Sequence, residues 1–314
     1  MRSGIAALLF GALLGSALSS VVRKEKLDVG DYRDDFARYQ MLSLSAAAYA
    51  DDPSKCLTTA FPKGNASISK IVEVVCDMFK TDSCRGFTAI SHSAKAVIIS
   101  FRGTAEFLQL AQEAIKTVIF PDTFIAGGKV SRYFYEAYKK VWESGLKDDY
   151  LELRNKYPDY EIWVTGHSLG GAMASLCAAT LVHLGQANPE KLKLLTFGAP
   201  RIGDKAFVDV HEALVLYSYR VVHNRDIVPH VPPEFFPDSW LLDGYLHTKS
   251  EVWYANDMSP GSDFIVCNSG ESWWCSDRDL ITLSISDHLH YFQHEEMMPD
   301  FGEDGCPIGM LQAS

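Results

Sequence analysis

Ile162-Trp163-Val164-Thr165-Gly166-His167-Ser168-Leu169-Gly170-Gly171-Ala172-Met173-Ala174-Ser175-Leu176 constrains this chain more than any other stretch. It reads as a short apolar strand, then Gly-x-Ser-x-Gly, then a helix of small and apolar residues. A strand can pass straight into a helix only where nothing crowds the turn. Gly166 and Gly170 have no Cβ to crowd it. The serine at the apex is predicted to hold a strained backbone, with its hydroxyl exposed. The positive end of the following helix points at the same spot and favours a developing oxyanion there. Ala172, Ala174 and Ala178 keep that helix slim enough to lie on a sheet.

The surrounding pattern predicts an α/β fold with a mostly parallel central sheet covered by helices on both faces. An entry helix is expected over 31–50, where Tyr39, Leu42, Ala46 and Tyr49 recur at helical spacing. Strands are expected at 70–76, 86–91 and 96–102, followed by a long amphipathic helix over 130–157 that ends before Pro158. Strand 161–165, helix 169–184, strand 192–197, helix 204–213 and strands 218–222 and 250–254 follow, with a terminal helix at 284–294. Chemistry in such a sheet sits at the carboxyl ends of the strands.

The first twenty residues fall outside that domain. Arg2, an apolar run from Ile5 to Leu14, then Ser16, Ala17, Ser19 and Ser20 read as a secretory signal peptide over 1–20. The run is too short for a membrane anchor, and no later segment is long and apolar enough to span a bilayer. Residues 21–314 then form one domain. Arg2 is the only charge in 1–20, so its removal takes the formal charge from -11 to -12. An acidic chain of this kind is a poor nucleic-acid binder and is not drawn to anionic membranes.

Cysteine usage agrees with an extracellular address. Cys177 lies in the helix after Ser168 and is expected as a buried free thiol. Six cysteines remain. Close spacing suggests Cys76–Cys84 and Cys267–Cys275, leaving Cys56–Cys306, although many other connectivities exist. Asn65-Ala66-Ser67 is a glycosylation acceptor in a stretch flanked by Pro and Gly.

A serine hydroxyl needs a base, and the base needs an orienting group. On this fold the acid follows a later strand and the histidine comes last. Asp226, at the end of Tyr219-Arg220-Val221-Val222-His223-Asn224-Arg225-Asp226, meets the first condition. Asp204 competes, but reads as a helix N-cap. His183 shares the helix of the serine, His223 and His230 lie too near the acid, and His247 precedes the last strand. His288, His290 and His294 come after it, and His288 stands at a helix entry beside a capping acid, Asp287. Three histidines without a flanking strand are weak evidence for metal, and the chemistry needs neither metal nor organic cofactor. For the oxyanion, one donor is the Leu169 N–H, and the other is expected from Thr104, after strand 96–102. Thr104 also suits a helix cap. Residues 107–120 read as a lid over an apolar cleft or as a plain surface helix.

With Phe101-Arg102-Gly103-Thr104, Gly166-His167-Ser168-Leu169-Gly170-Gly171-Ala172, Phe197-Gly198-Ala199-Pro200-Arg201-Ile202-Gly203-Asp204, Asn224-Arg225-Asp226-Ile227-Val228-Pro229 and Asp287-His288, the chain resembles the class 3, fungal-type triacylglycerol lipases. The ordered combination is far more specific than any single motif, and it spans roughly Tyr39 to Phe292. The resemblance implies an α/β-hydrolase fold, with Ser168 as nucleophile, Asp226 as acid and His288 as base. It also implies a Thr104 and Leu169 oxyanion hole and a mobile lid just after Thr104. The family's disulfide pattern fits Cys56–Cys306 and Cys267–Cys275. Residues 257–281, with Trp273 and Trp274, look like a variable insertion that either shapes the cleft rim or touches lipid. The expectation is a secreted serine carboxylester hydrolase acting on lipid esters at a lipid–water interface. A phospholipase, a soluble-ester (feruloyl-type) esterase and a catalytically silent lipid carrier remain as alternatives.

Overall fold

The computed structural model describes residues 30–76, 83–103, 120–234, 244–278, 284–292, 296–307 and 309. Its strands are β1 Ala66–Val75, β2 Ser83–Ser91, β3 Ala96–Phe101, β4 Pro121–Thr123, β5 Lys129–Ser131, β6 Glu161–His167, β7 Leu192–Phe197, β8 Tyr217–His223, β9 Glu251–Tyr254 and β10 Ile265–Cys267. Its α-helices are α1 Leu42–Ala47, α2 Ser54–Ala60, α3 Arg132–Val141, α4 Lys147–Lys156, α5 Leu169–His183, α6 Lys205–Leu214, α7 Ile285–Leu289 and α8 Met298–Glu303. Among the described residues, eight strands form one sheet in the order β1-β2-β3-β6-β7-β8-β9-β10, and β4 and β5 pair separately. The centre, β3-β6-β7-β8-β9, is parallel throughout. The flanking pairs β1–β2, β2–β3 and β9–β10 are antiparallel.

Parallel strands covered on both faces carry continuous apolar runs rather than alternation. Val97, Ile99, Ile162 and Val164 face the layer containing Ala174, Leu176 and Cys177 of α5. Ile98 and Trp163, their neighbours in sequence, face the opposite layer with Leu42 and Ala46 of α1 and Phe301 of α8. Helix α5 is buried continuously from Leu169 to Leu181, which explains its lack of a polar face.

Two helices differ from the sequence expectation. The stretch 130–157 begins as strand β5, and its helix starts only at Arg132, where the Ser131 hydroxyl accepts from the Phe134 N–H. It then breaks between α3 and α4, because Gly145 has φ 120° and Ser144 leaves helical geometry. Apolar periodicity runs across this break and concealed it. The terminal helix over 284–294 shrinks to α7, since His290 is extended at φ -122° and Phe292 turns to φ 64°. That turn sends Tyr291 and Phe292 into the core. Helices α2 and α8 and strand β10 were not expected from the sequence.

Disulfides join Cys56 to Cys306, Cys76 to Cys84 and Cys267 to Cys275, while Cys177 is a buried free thiol. The first spans 250 residues of sequence and clasps α2 to the segment after α8. Long loops are where a cross-link most restricts the unfolded chain. The double variant Cys56→Ala, Cys306→Ala is expected to lose about 2–5 kcal/mol of unfolding free energy. Equilibrium urea unfolding measures this, and an unchanged midpoint would mean that Met298 and Phe301 hold the C-terminal segment by packing alone.

Candidate active site

Ser168 stands between β6 and α5 at φ 61° and ψ -130°, a backbone that strains any residue with a Cβ. The surrounding glycines make the turn possible. A Cβ on Gly166 would collide with the Gly170 carbonyl, and one on Gly170 would collide with the Phe101 carbonyl oxygen of β3. The fifteen residues of α5 aim their positive end at Ser168. The hydroxyl is not exposed as the sequence suggested. Ser168 is buried, and its Oγ has no hydrogen-bond partner among the described residues. The loop leaving β3 presses on it: a Cβ on Gly103 would lie 2.9 Å from the Ser168 Cβ.

Asp226 follows the end of β8 in a turn closed by its N–H to the His223 carbonyl, 2.9 Å. Its carboxylate is fully buried and fully occupied. Both oxygens lie 2.9 Å from His288 Nδ1. Oδ1 also accepts from the Val228 N–H at 2.8 Å, and Oδ2 from the Tyr291 hydroxyl at 2.5 Å. Burial alone would raise this carboxyl. The adjacent His288 ring and the hydrogen bonds from His288, Tyr291 and Val228 together hold it below its ordinary value. With Nδ1 donating, His288 keeps Nε2 as a buried atom with no partner among the described residues.

Gly198 forms the wall behind this pair. It has φ 54°, and a Cβ there would stand 2.7 Å from Asp226 Oδ2 and 2.8 Å from His288 Nδ1. His167 supplies a further support. Its ring stacks on His288 with centroids 4.5 Å apart, and its Nε2 lies 2.7 Å from the His288 carbonyl. Burial pushes its pKa down to about 3, and the neighbouring His288 adds to the shift. His167 is therefore neutral. A carbonyl can only accept, so Nε2 carries the proton, and Nδ1 accepts from the Tyr49 hydroxyl at 2.8 Å. A continuous chain thus runs from Tyr49, beside Gly103, through His167 to the backbone of His288.

Comparison with known proteins places the chain in a family. The family model described as Lipase (class 3) matches residues 98–236. A Caenorhabditis elegans lipase is 35% identical over 311 residues, covering 90% of this chain and 86% of that protein. The chain belongs to the class 3 lipase family. The lipase of Rhizomucor miehei is 36% identical over 202 residues, covering 64% of this chain and 53% of that protein, so the chain spans about half its length. The solved structure of the Rhizomucor miehei triacylglyceride lipase matches with a TM-score of 0.68 and 28% identity, covering 82% of this chain and 93% of that one. A lipase structure from Rhizopus microsporus var. chinensis gives 0.72 and 28%, covering 88% and 96%. The fold is the α/β-hydrolase fold, and the protein is a carboxylic ester hydrolase.

In this class 3 lipase, the other sequence candidates lie elsewhere. Asp204 caps α6, accepting from the Phe207 N–H at 2.9 Å. His247 is buried, with Nε2 2.6 Å from the Pro229 carbonyl. His290 lies past the end of α7, and its Nδ1 is 2.7 Å from the Ser286 carbonyl. Asp287 does not cap α7. Ser284 does, and the Asp287 carboxylate instead accepts from Asn224 Nδ2 and the Arg225 N–H, both at 3.1 Å. Leu169 opens α5 next to Ser168. Thr104, His294 and residues 107–119 of the lid candidate lie outside the described residues. Among the described residues, no group of three or more His, Cys, Asp or Glu could hold a metal.

Tyr49, His167, Gly198 and Tyr291 were not singled out as site residues by the sequence. His167 and Gly198 stand inside the motifs that carry the family resemblance, but no local signal assigned either a role of its own. His167→Ala is expected to lower kcat on a soluble ester by about 100-fold with little change in KM, because His288 loses the contact that sets its position. A variant that melts earlier yet keeps its kcat would restrict His167 to a structural role.

Proposed function

We propose that this lipase is a triacylglycerol hydrolase working through an acyl-enzyme on Ser168. The observation that carries this reading is the buried Asp226–His288 pair, stacked against His167, the residue next to the Ser168 elbow. Ser168 Oγ attacks the ester carbonyl carbon while His288 Nε2 takes its proton. Asp226 holds the ring through Nδ1–H and stabilises the imidazolium. The Leu169 and Thr104 N–H groups meet the oxyanion, each contributing about 3 kcal/mol to the transition state. His288 then returns the proton to the departing alcohol oxygen, and water repeats the sequence on the acyl group. Residues after Thr104 act as a lid over the acyl cleft.

The same reading makes the protein secreted, with 1–20 removed as a signal peptide. Six of its seven cysteines are paired, as suits an oxidising compartment. Asn65 is exposed in the turn before β1, where a glycan would be accommodated.

Hydrolysis of emulsified triolein and of short- and long-chain p-nitrophenyl esters tests this, with Ser168→Ala as control. Strong triolein cleavage that vanishes in the variant is the expected result. Cleavage of short soluble esters alone would replace the proposal with a soluble-ester hydrolase. No activity and no fluorophosphonate labelling would leave a lipid carrier.

A further inference from the structure

The largest exposed aromatic surface among the described residues lies outside the active site. Trp273 and Trp274 are 70% and 81% exposed, in the loop closed by Cys267–Cys275. Ile265 and Val266 of the edge strand β10 are partly exposed on its two faces, and Phe264 before them packs its ring on Tyr32 and Tyr254. Cys275 Sγ lies 3.8 Å from the Ile265 carbonyl, which sets the tryptophan loop beside β10. We propose that this patch is a second lipid-docking surface, a fixed anchor for uncharged or zwitterionic lipid that works beside the active site. The proposal rests on the lipase reading above.

The loop is rigidly mounted. The Glu271 carboxylate accepts from Arg201 at 3.0 and 2.7 Å and from the His247 N–H at 2.7 Å. The Asp277 carboxylate accepts from the Ser272 N–H at 2.6 Å, and the Gly270 carbonyl from Arg220 at 3.0 Å. These ties hold the base of the loop, while the two indoles beyond it are left in solvent. Ordering a side chain on binding costs less when its backbone is already fixed. Arg201, which holds Glu271, is three residues after Gly198, the wall of the Asp226–His288 pair.

The chemistry of the patch selects its partner. Indole rings settle at the boundary between head groups and acyl chains, with an apolar face and one N–H donor. A formal charge of -11 and the acidic Asp263 before Phe264 disfavour an anionic surface. An exposed pair of tryptophans needs no shape-matched groove, and a lipid surface offers none.

The test uses the full-length protein and Trp273→Ala, Trp274→Ala, each also in a Ser168→Ala background that leaves the lipid intact. Flotation measures binding to phosphatidylcholine vesicles doped with triolein, and p-nitrophenyl butyrate below its solubility limit reports the active site. The double variant is expected to bind vesicles at least roughly tenfold more weakly. Its soluble-ester kcat and melting temperature should match the parent, and Trp→Phe replacements should restore part of the binding. Unchanged vesicle binding would overturn the proposal, as would binding lost only together with soluble-ester activity. Loss of a concentration-dependent dimer with vesicle binding intact would reassign the patch to a second copy of the chain. Vesicle binding through the tryptophans by a protein that does not cleave triolein would leave the docking surface standing and remove the proposed substrate.

Discussion

Ser168→Ala is expected to lower kcat for ester hydrolysis about a millionfold while leaving the protein folded. In the proposed mechanism the hydroxyl is the nucleophile, and nothing else at the β6–α5 turn would replace it. The fold should not notice the change. Strain at φ 61° comes from the Cβ, which serine and alanine share, and the Oγ makes no hydrogen bond with the described residues. Ser168→Gly separates the two effects. It should be equally inactive but more stable by about 1–3 kcal/mol, because glycine adopts this backbone without strain. Fluorophosphonate titration and urea unfolding of the three proteins check both statements. Residual turnover above about one per cent of wild type in either variant, at equal purity, would place the nucleophile elsewhere.

Asp226→Asn is expected to cost about 10,000-fold in kcat. The carboxylate only accepts, and it accepts from His288 Nδ1, Tyr291 Oη and the Val228 N–H together. An asparagine replaces one acceptor with an NH2 donor. Facing that donor, the imidazole moves its proton to Nε2, so the nitrogen needed as a base becomes a donor. KM for a soluble ester should change little, because the substrate does not touch Asp226. A second signature lies in the pH dependence of stability. The Asp226 pKa is lowered from the ordinary 3.8, so its carboxylate stabilises the fold in full above that value. The contribution is lost as the pH falls through the lowered pKa. The unfolding free energies of wild type and Asp226→Asn should therefore converge in acid. A gap that instead widened as the pH fell would mean that the buried carboxyl is protonated more readily than a free one.

Local rules explain why much of the scaffold could be read from the chain. The Ser168 elbow depends on glycines two residues to either side, and their steric reason is contained within five residues. Apolar runs such as Val97–Ile99 and Ile162–Val164 mark strands buried on both faces whatever they pack against. The order of strands and helices then leaves few ways to build the sheet. Where the reading failed, the competing effect was also local but weaker in sequence. Gly145 broke a helix whose apolar spacing continued past it, and α7 ended early because Tyr291 and Phe292 belong to the core.

The sequence by itself determined the turn at Ser168, the strand before Asp226 and the run of strands and helices, because backbone sterics and burial act over a few residues. Only the tertiary structure decided which partners meet. The sequence favoured His288 over His290 through a cap that belongs to Ser284, not Asp287; it is the fold that sets the His288 ring against Asp226 across 62 positions and leaves the His290 ring on a carbonyl four residues away. The same holds for His167, joined to Tyr49 across 118 positions and to His288 across 121. Hydrogen bonds between buried groups depend on where the sheet brings separate loops together, and no periodicity along the chain encodes that distance.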